Sequence, residues 1–358
     1  MNVIPHSRPC LGEEEAAAAA EVVRSGWLKG GPRREELERV IAADQGFAHA
    51  LAVTSCTQAV HLALRARFPE GGARVVLPAY ICRSVWDAVK LAGCEPVLVD
   101  SCESDLGPEL ETTMILEPDA VIVAHLAGIR APVEGFLGRG LFVIEDCAQR
   151  IQPGDRPARP DPNHVRVFSF EATKVITCGE GGMLALNDAE LARVARGLRD
   201  GDSEGAATQA WLPFTDLQAA IALVQWRRLP ELAQVRRRNM DRLRAVVPEN
   251  LLHPAMLKDN AAPFRFLLYG MFAGDLMLAG ERAGVAVRKP VGHGSLHTIY
   301  APQNWRFFPG AAVLSHTLVS IPCQPSLRAD EMDRVVAFAA EQAAAVGEAA
   351  QSKAKERT

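Results

Sequence analysis

An α/β architecture is predicted for this chain, with a mostly parallel sheet between helices and a smaller α+β domain after it. Two patterns carry that prediction. Segments such as "PDAVIVAHLAG" and "GLFVIEDCAQ" are continuously apolar rather than alternating, as strands buried on both faces must be. These runs are separated by helical stretches, as "SVWDAVKLAG" separates "ARVVLPAY" from "EPVLVD". A length of 358 residues, about twice a usual domain, leaves room for the second unit.

In chain order, "GEEEAAAAAEVVRSG" opens with acids in its first turn and closes on glycine, so both ends of a helix are marked. "REELERVIAADQG" repeats the pattern. "HALAVTSCTQAVHLALRAR" reads as a short strand, a Ser/Thr turn and a helix from about Thr57. The strand–helix–strand of residues 73–100 follows, then the two apolar strands quoted above. "RVFSF" and "GGMLALND" are read as the last strands of the sheet, after the proline-rich loop "QPGDRPARPDPNH". The long helical run beginning "TDLQAAIALVQW" leads to a composition shift at "PENLLHP". Residues 1–235 are therefore taken as the large domain, with the first twenty or so free to pack on the small one. Residues 236–346 are taken as the α+β domain and 347–358 as a frayed tail.

Composition excludes several classes. Hydrophobic content of 48% and charged content of 23% describe an ordinary soluble chain, and a net charge of −4 names no polyanionic partner. The seven arginines of "WRRLPELAQVRRRNMDRLR" lack interleaved aromatics and read as a solvated helix face rather than a nucleic-acid surface. The N-terminus has no signal-peptide core, and no apolar run approaches membrane-spanning length. Eight cysteines without a C-x-x-C pair argue for reduced thiols in a cytoplasm, not a zinc site or disulfide framework.

Lys174 is the sole lysine of residues 167–188, set among apolar segments. A lysine amine can hold an aldehyde cofactor as a Schiff base. Pyridoxal phosphate would further need a carboxylate for its ring nitrogen, and hydroxyls with backbone N–H groups for its phosphate. Asp146 ends the strand "LFVIED", Ser55 and Thr57 lie in the turn opening a helix, and Ser169 precedes Lys174 by five positions. Singly, each has a plainer reading as a turn residue, a helix cap or a solvent-facing lysine.

The ordered series "RSGWLKGGP", "AVTSCTQAVHLAL", "VAHLAG", "VIEDCAQ", "FSFEATKVITCGEGG", "FTDLQAAIALVQWRRLPEL" and "SIPCQPSLRADEMDRVV" resembles the DegT/DnrJ/EryC1/StrS sugar aminotransferases over nearly the whole chain. The resemblance implies the seven-stranded sheet of fold type I transferases, with pyridoxal 5′-phosphate as cofactor. Lys174 would carry the cofactor and act as general base. Asp146 would pair with the ring nitrogen and Gln149 would lie near the phenolic oxygen. Ser55, Thr57 and Ser169 would hold the phosphate. Glutamate would donate the amino group to a nucleotide-linked keto-sugar, in a homodimer with composite sites. Arg288 and His297 fall where family members line the sugar side.

The sequence departs from the family's pattern at four positions. Cys56 replaces the glycine of the phosphate turn, and Cys82 replaces the aromatic that stacks on the ring. Trp211 and Pro213 replace an asparagine and an arginine that reach the neighbouring subunit's cofactor. Three readings stand at this level: a sugar aminotransferase, a related enzyme acting on another substrate such as an aminocyclitol precursor, and a non-catalytic relative that binds a partner.

Overall fold

The computed structural model describes residues 3–201, 213–258, 264–292 and 295–355. Two helices open the chain, α1 (Glu13–Ser25) and α2 (Pro32–Gln45). The first has Glu13, Glu14 and Glu15 in its opening turn, where the helix dipole favours acids, and stops at Gly26, whose φ of 73° suits glycine. Then come β1 (His49–Val53), α3 (Cys56–Arg67), β2 (Arg74–Pro78), α4 (Arg83–Leu91), β3 (Glu95–Val99), α5 (Leu110–Ile115) and β4 (Ala120–Ala124). The large sheet is completed by β5 (Phe142–Asp146), β6 (His164–Ser169) and β7 (Gly182–Leu186), followed by α6 (Ala189–Asp200) and α7 (Asp216–Arg244).

These seven strands lie in the order β1-β7-β6-β5-β4-β2-β3. The pairs β2–β3, β2–β4, β4–β5 and β5–β6 are parallel, and β7 runs antiparallel to both β6 and β1. Every residue of β4, β5, β6 and β7 is buried. Their side chains divide between the two faces with a period of two: Val165, Val167 and Leu184 join one apolar cluster, while Phe168, Met183 and Ala185 join another. That division is why the strands read as unbroken apolar runs.

Helix α7 is 29 residues long and crosses the boundary expected at 235/236. It starts from a capping box in which Thr215 Oγ1 accepts from Gln218 N and the Gln218 side chain accepts from Thr215 N. Beyond it lie α8 (Ala255–Lys258), β8 (Phe266–Leu268), α9 (Ala273–Ala283), α10 (Leu296–Tyr300), α11 (Pro309–Thr317), β9 (Val319–Ile321) and α12 (Ala329–Lys355). Strands β8 and β9 pair antiparallel, and a single bridge adds Arg288 to Ser320. The N-terminal segment joins this half of the chain: Ile4 bridges Val285, and Arg8 pairs with Glu331 at 2.6 Å. Helix α12 continues to Lys355, through residues where the sequence marks a frayed tail.

Candidate active site

Strand direction builds the site. Because β1, β2, β4, β5 and β6 all point the same way and β7 points back, the carboxyl ends of the first five and the start of β7 share one edge of the sheet. The segments leaving those ends supply Ser55–Thr57 after β1, Cys82 after β2, Asp146 at the end of β5 and Ser169 at the end of β6. Lys174 lies in the segment between β6 and β7. A cavity of about 230 Å³ at this edge is lined by Ser55, Cys56, Thr57, Cys82, Asp146, Gln149, Ser169 and Lys174, all eight of the cofactor-site candidates. Open α/β sheets hold their ligands at this edge.

Ser55 caps α3, its Oγ accepting from Gln58 N at 3.2 Å. The free N–H groups of that helix's first turn therefore border the cavity, where the positive end of the dipole suits an anion. The glycines of "GEGG" have a packing role here. A Cβ on Gly182 would come within 2.3 Å of the Ser55 carbonyl carbon, so β7 can pass against the α3 turn only with glycine at that position. Cys56 does not fill the cradle with an idle side chain: its Sγ lies 3.8 Å from Asp146 Oδ1.

Asp146 is 7% exposed, and Ala148 N donates to its Oδ1 at 2.9 Å. Burial pushes its carboxyl above the usual range, partly offset by that N–H and by the charge of Lys174. Burial, with Asp146 alongside, holds the Cys56 thiol well above its ordinary value, so it faces the carboxylate as a neutral S–H. Burial likewise raises Cys82. Among the described residues, the Lys174 amine has no hydrogen bond or ion pair. Gln149 Oε1 accepts from Ala127 N at 2.7 Å, which fixes that amide beside the cavity.

A network absent from the sequence reading lies on the other face of β5. Glu145, 1% exposed, accepts from His125 Nε2 and His164 Nε2, each at 2.7 Å, and from Arg166 Nε at 2.6 Å. His125 Nδ1 accepts from Ala131 N, so the ring proton sits on Nε2. Burial alone would raise Glu145, but the two histidine hydrogen bonds and the Arg166 charge outweigh it and hold the carboxyl well below its usual range. His125, Glu145 and Cys147 place three donor atoms within 4.8 Å of one another. Both Glu145 oxygens are already engaged by the histidines and Arg166, so these atoms belong to a hydrogen-bonded network.

A depressed carboxyl stabilises the fold above its unfolded pKa, about 4.3, and that stability is lost as pH falls through the lower folded value. Glu145→Gln should therefore cost roughly 1.5–3 kcal/mol at neutral pH, as hydrogen bonds to a charged group do. The deficit should shrink in acid, below about pH 4. Urea unfolding of both proteins at pH 7 and pH 3.5 checks this; a deficit that does not change with pH would refute the charge's role.

The remaining site candidates lie elsewhere. His297 is buried, its Nδ1 is 2.5 Å from Ser295 Oγ, and its ring stacks on Phe308 with centroids 5.4 Å apart. Burial lowers its pKa, the behaviour of a packed core histidine. Arg288 is exposed beside its bridge to Ser320. Neither lines the cavity. Pro213 is exposed ahead of α7, and Trp211 lies outside the described residues.

Residues 9–339 match the DegT/DnrJ/EryC1/StrS aminotransferase family. Among solved structures, the chain is similar to the aminotransferase TlmJ from Streptoalloteichus hindustanus, at 26% identity and a TM-score of 0.82, covering 96% of this chain and 100% of that one. It shares its fold with Helicobacter pylori PseC, an aminotransferase involved in the biosynthesis of pseudoaminic acid (20% identity, TM-score 0.82, 96% and 100% covered). It also shares it with Spr1654 from Streptococcus pneumoniae, a provisionally named sugar aminotransferase solved in its PLP form (22% identity, TM-score 0.83, 95% and 99% covered).

Proposed function

Because the chain belongs to the DegT/DnrJ/EryC1/StrS aminotransferase family, we propose that it transfers an amino group from glutamate to a nucleotide-activated keto-sugar, using pyridoxal 5′-phosphate. One observation carries the reading: a free lysine amine, a buried carboxylate and a capped helix N-terminus converge on a single cavity. When bound, the cofactor supplies an aldehyde for the amine and a ring that accepts electrons from the substrate carbon.

The chain's own residues do the rest. Lys174 anchors the cofactor and moves a proton at its Nζ. Asp146, fixed through Oδ1 by Ala148 N and the Cys56 thiol, has Oδ2 left to hold the ring nitrogen's proton. Ser55, Thr57, Ser169 and the first turn of α3 bind the phosphate, and Gln149 orients the ring's phenolic oxygen. Residues 1–235 form the cofactor-binding domain and 236–346 the smaller one, in a homodimer with composite sites. Eight free cysteines support a cytoplasmic setting, and among the described residues no helix is long and apolar enough to cross a membrane.

Borohydride reduction of the cofactor-saturated protein, followed by peptide mapping, tests the assignment. The cofactor's mass should appear on the peptide carrying Lys174; a tag on another lysine, or no tag, refutes it.

The phosphate grip is expected to be weak, because Trp211 and Pro213 stand where the family has an asparagine and an arginine. Each hydrogen bond to a charged phosphate is worth roughly 1.5–3 kcal/mol, or about ten- to a hundredfold in affinity. Titration of apo-protein should show the double variant Trp211→Asn, Pro213→Arg binding the cofactor tighter by about that factor. Equal dissociation constants would mean that other groups have taken over the phosphate.

A further inference from the structure

Cys56 stands at the first position of α3, directly after the Ser55 cap, and its side chain lines the cofactor cavity. Its Sγ lies 3.8 Å from Asp146 Oδ1, and the same oxygen accepts from Ala148 N at 2.9 Å. Oδ2 accepts from no group among the described residues, although Asp146 is only 7% exposed and lines the cavity. The carboxylate is therefore held on one oxygen and open on the other. Two donors on Oδ1 also fix the carboxylate's rotation, a torsion that is otherwise broad.

The groups that act on this carboxylate come from several segments. Burial disfavours its charged form, while Ala148 N, the Lys174 amine, the His125 ring and the Cys56 thiol favour it. Cys82, after β2, faces the same Lys174 and Asp146 charges, but has no hydrogen bond to the carboxylate among the described residues. Cys56 is held as a neutral S–H, so it donates without adding a charge. A donor to the charged form makes a carboxylate a weaker base. Where carboxylate and ring nitrogen share a proton, the weaker base leaves it on the ring, in the form that accepts electrons.

We propose that Cys56 is a positioning residue for the cofactor ring: its S–H, donated to Asp146 Oδ1, aims Oδ2 at the ring nitrogen and keeps the shared proton on that nitrogen. The inference rests on the aminotransferase reading for the identity of the ring. The hydrogen bond itself is a property of the empty protein, so it can be measured apart from that reading.

In the apo-protein, carboxyl-carbon NMR titration of Asp146 reads the bond, the signal being identified by its loss in Asp146→Asn. Cys56→Ala keeps the Cβ and removes the donor. The proton affinity of Asp146 should then rise by about three- to tenfold, the worth of one net hydrogen bond. Cys56→Ser supplies a donor again and should bring the value back towards the wild type. Cys56→Gly removes the same donor as alanine and should agree with it, which keeps the test intact should the alanine variant fail to fold. In the loaded protein, absorbance against pH follows the proton on the lysine-bound cofactor. A positive ring lowers the proton affinity of the lysine nitrogen. The transition should therefore move to higher pH in Cys56→Ala and return in Cys56→Ser. An Asp146 titration that is the same in wild type, Cys56→Ala and Cys56→Gly overturns the proposal. So does a Cys56→Ser protein that matches Cys56→Ala in both titrations, which would make Cys56 a space-filling residue. The borohydride tag on Lys174 reads the aminotransferase assignment separately, so failure of either is recognisable.

Discussion

Lys174→Ala is expected to fold normally, retain cofactor affinity only in part and lose turnover by about 10²–10⁴-fold or more, the range for removing a positioned general base. The fold does not depend on this side chain. Lys174 is held by its backbone, its N donating to Glu171 O at 3.0 Å, and its amine forms no ion pair among the described residues. Nor does a nearby lysine replace it, since residues 167–188 contain no other. Two losses add in the variant: the covalent anchor and the base that moves the proton. Lys174→Arg separates the roles, because guanidinium keeps the charge but stays protonated and is no nucleophile. Turnover within tenfold of the wild type in either variant would remove Lys174 from the chemistry, whatever it does for binding.

That these residues gather at one sheet edge was more legible in the sequence than the strand order around them. Ser55, Asp146, Ser169 and Lys174 each sit at or just beyond a strand end. Once the apolar runs are read as parallel strands, their ends fall on one edge without knowledge of the sheet order. The order itself, with β7 inserted between β1 and β6, depends on pairings between residues more than a hundred positions apart, as His49 with Leu186, and no local pattern encodes them. Periodicity also left unseen that one helix runs across the division drawn at 235. Helix α7 runs through that point and contains Pro230 in its interior.

Burial of charge was the least legible feature. In "VIED" the two acids look alike, yet alternation along β5 sends Glu145 to one face and Asp146 to the other. There Glu145 meets His125 from the end of β4, with His164 and Arg166 from β6, and no spacing rule joins those four. His297 differs in the opposite way: in a stretch that reads as a small-domain loop, its ring is buried against Phe308. The arginines of α7, read as a solvated face, include Arg236, which the fold buries.

The sharpest test of the site's electrostatics is Asp146. Asp146→Asn should leave the fold intact, weaken the cofactor by about ten- to a hundredfold, and slow the half-reaction with glutamate more than it weakens binding. The first effect follows from removing one partner of a buried, hydrogen-bonded charge pair. The second follows because a ring nitrogen that loses its carboxylate also loses its proton, and with it the capacity to accept electrons. Without the cofactor, the variant should be no less stable than the wild type at neutral pH. Burial raises the Asp146 carboxyl, so the charged form costs the empty protein stability as pH rises through that value. Asparagine carries no such charge, and its amide oxygen still accepts from Ala148 N. The apo-variant should therefore match or exceed the wild type in urea at pH 7, while the order reverses once cofactor is added. Single-turnover rates with glutamate, set beside cofactor titrations and paired unfolding curves, measure all three. Wild-type half-reaction rates in Asp146→Asn would refute the ring-nitrogen role. An apo-variant less stable than wild type would show that Asp146 serves the fold first, through Ala148 N and the Cys56 thiol, and the cofactor second.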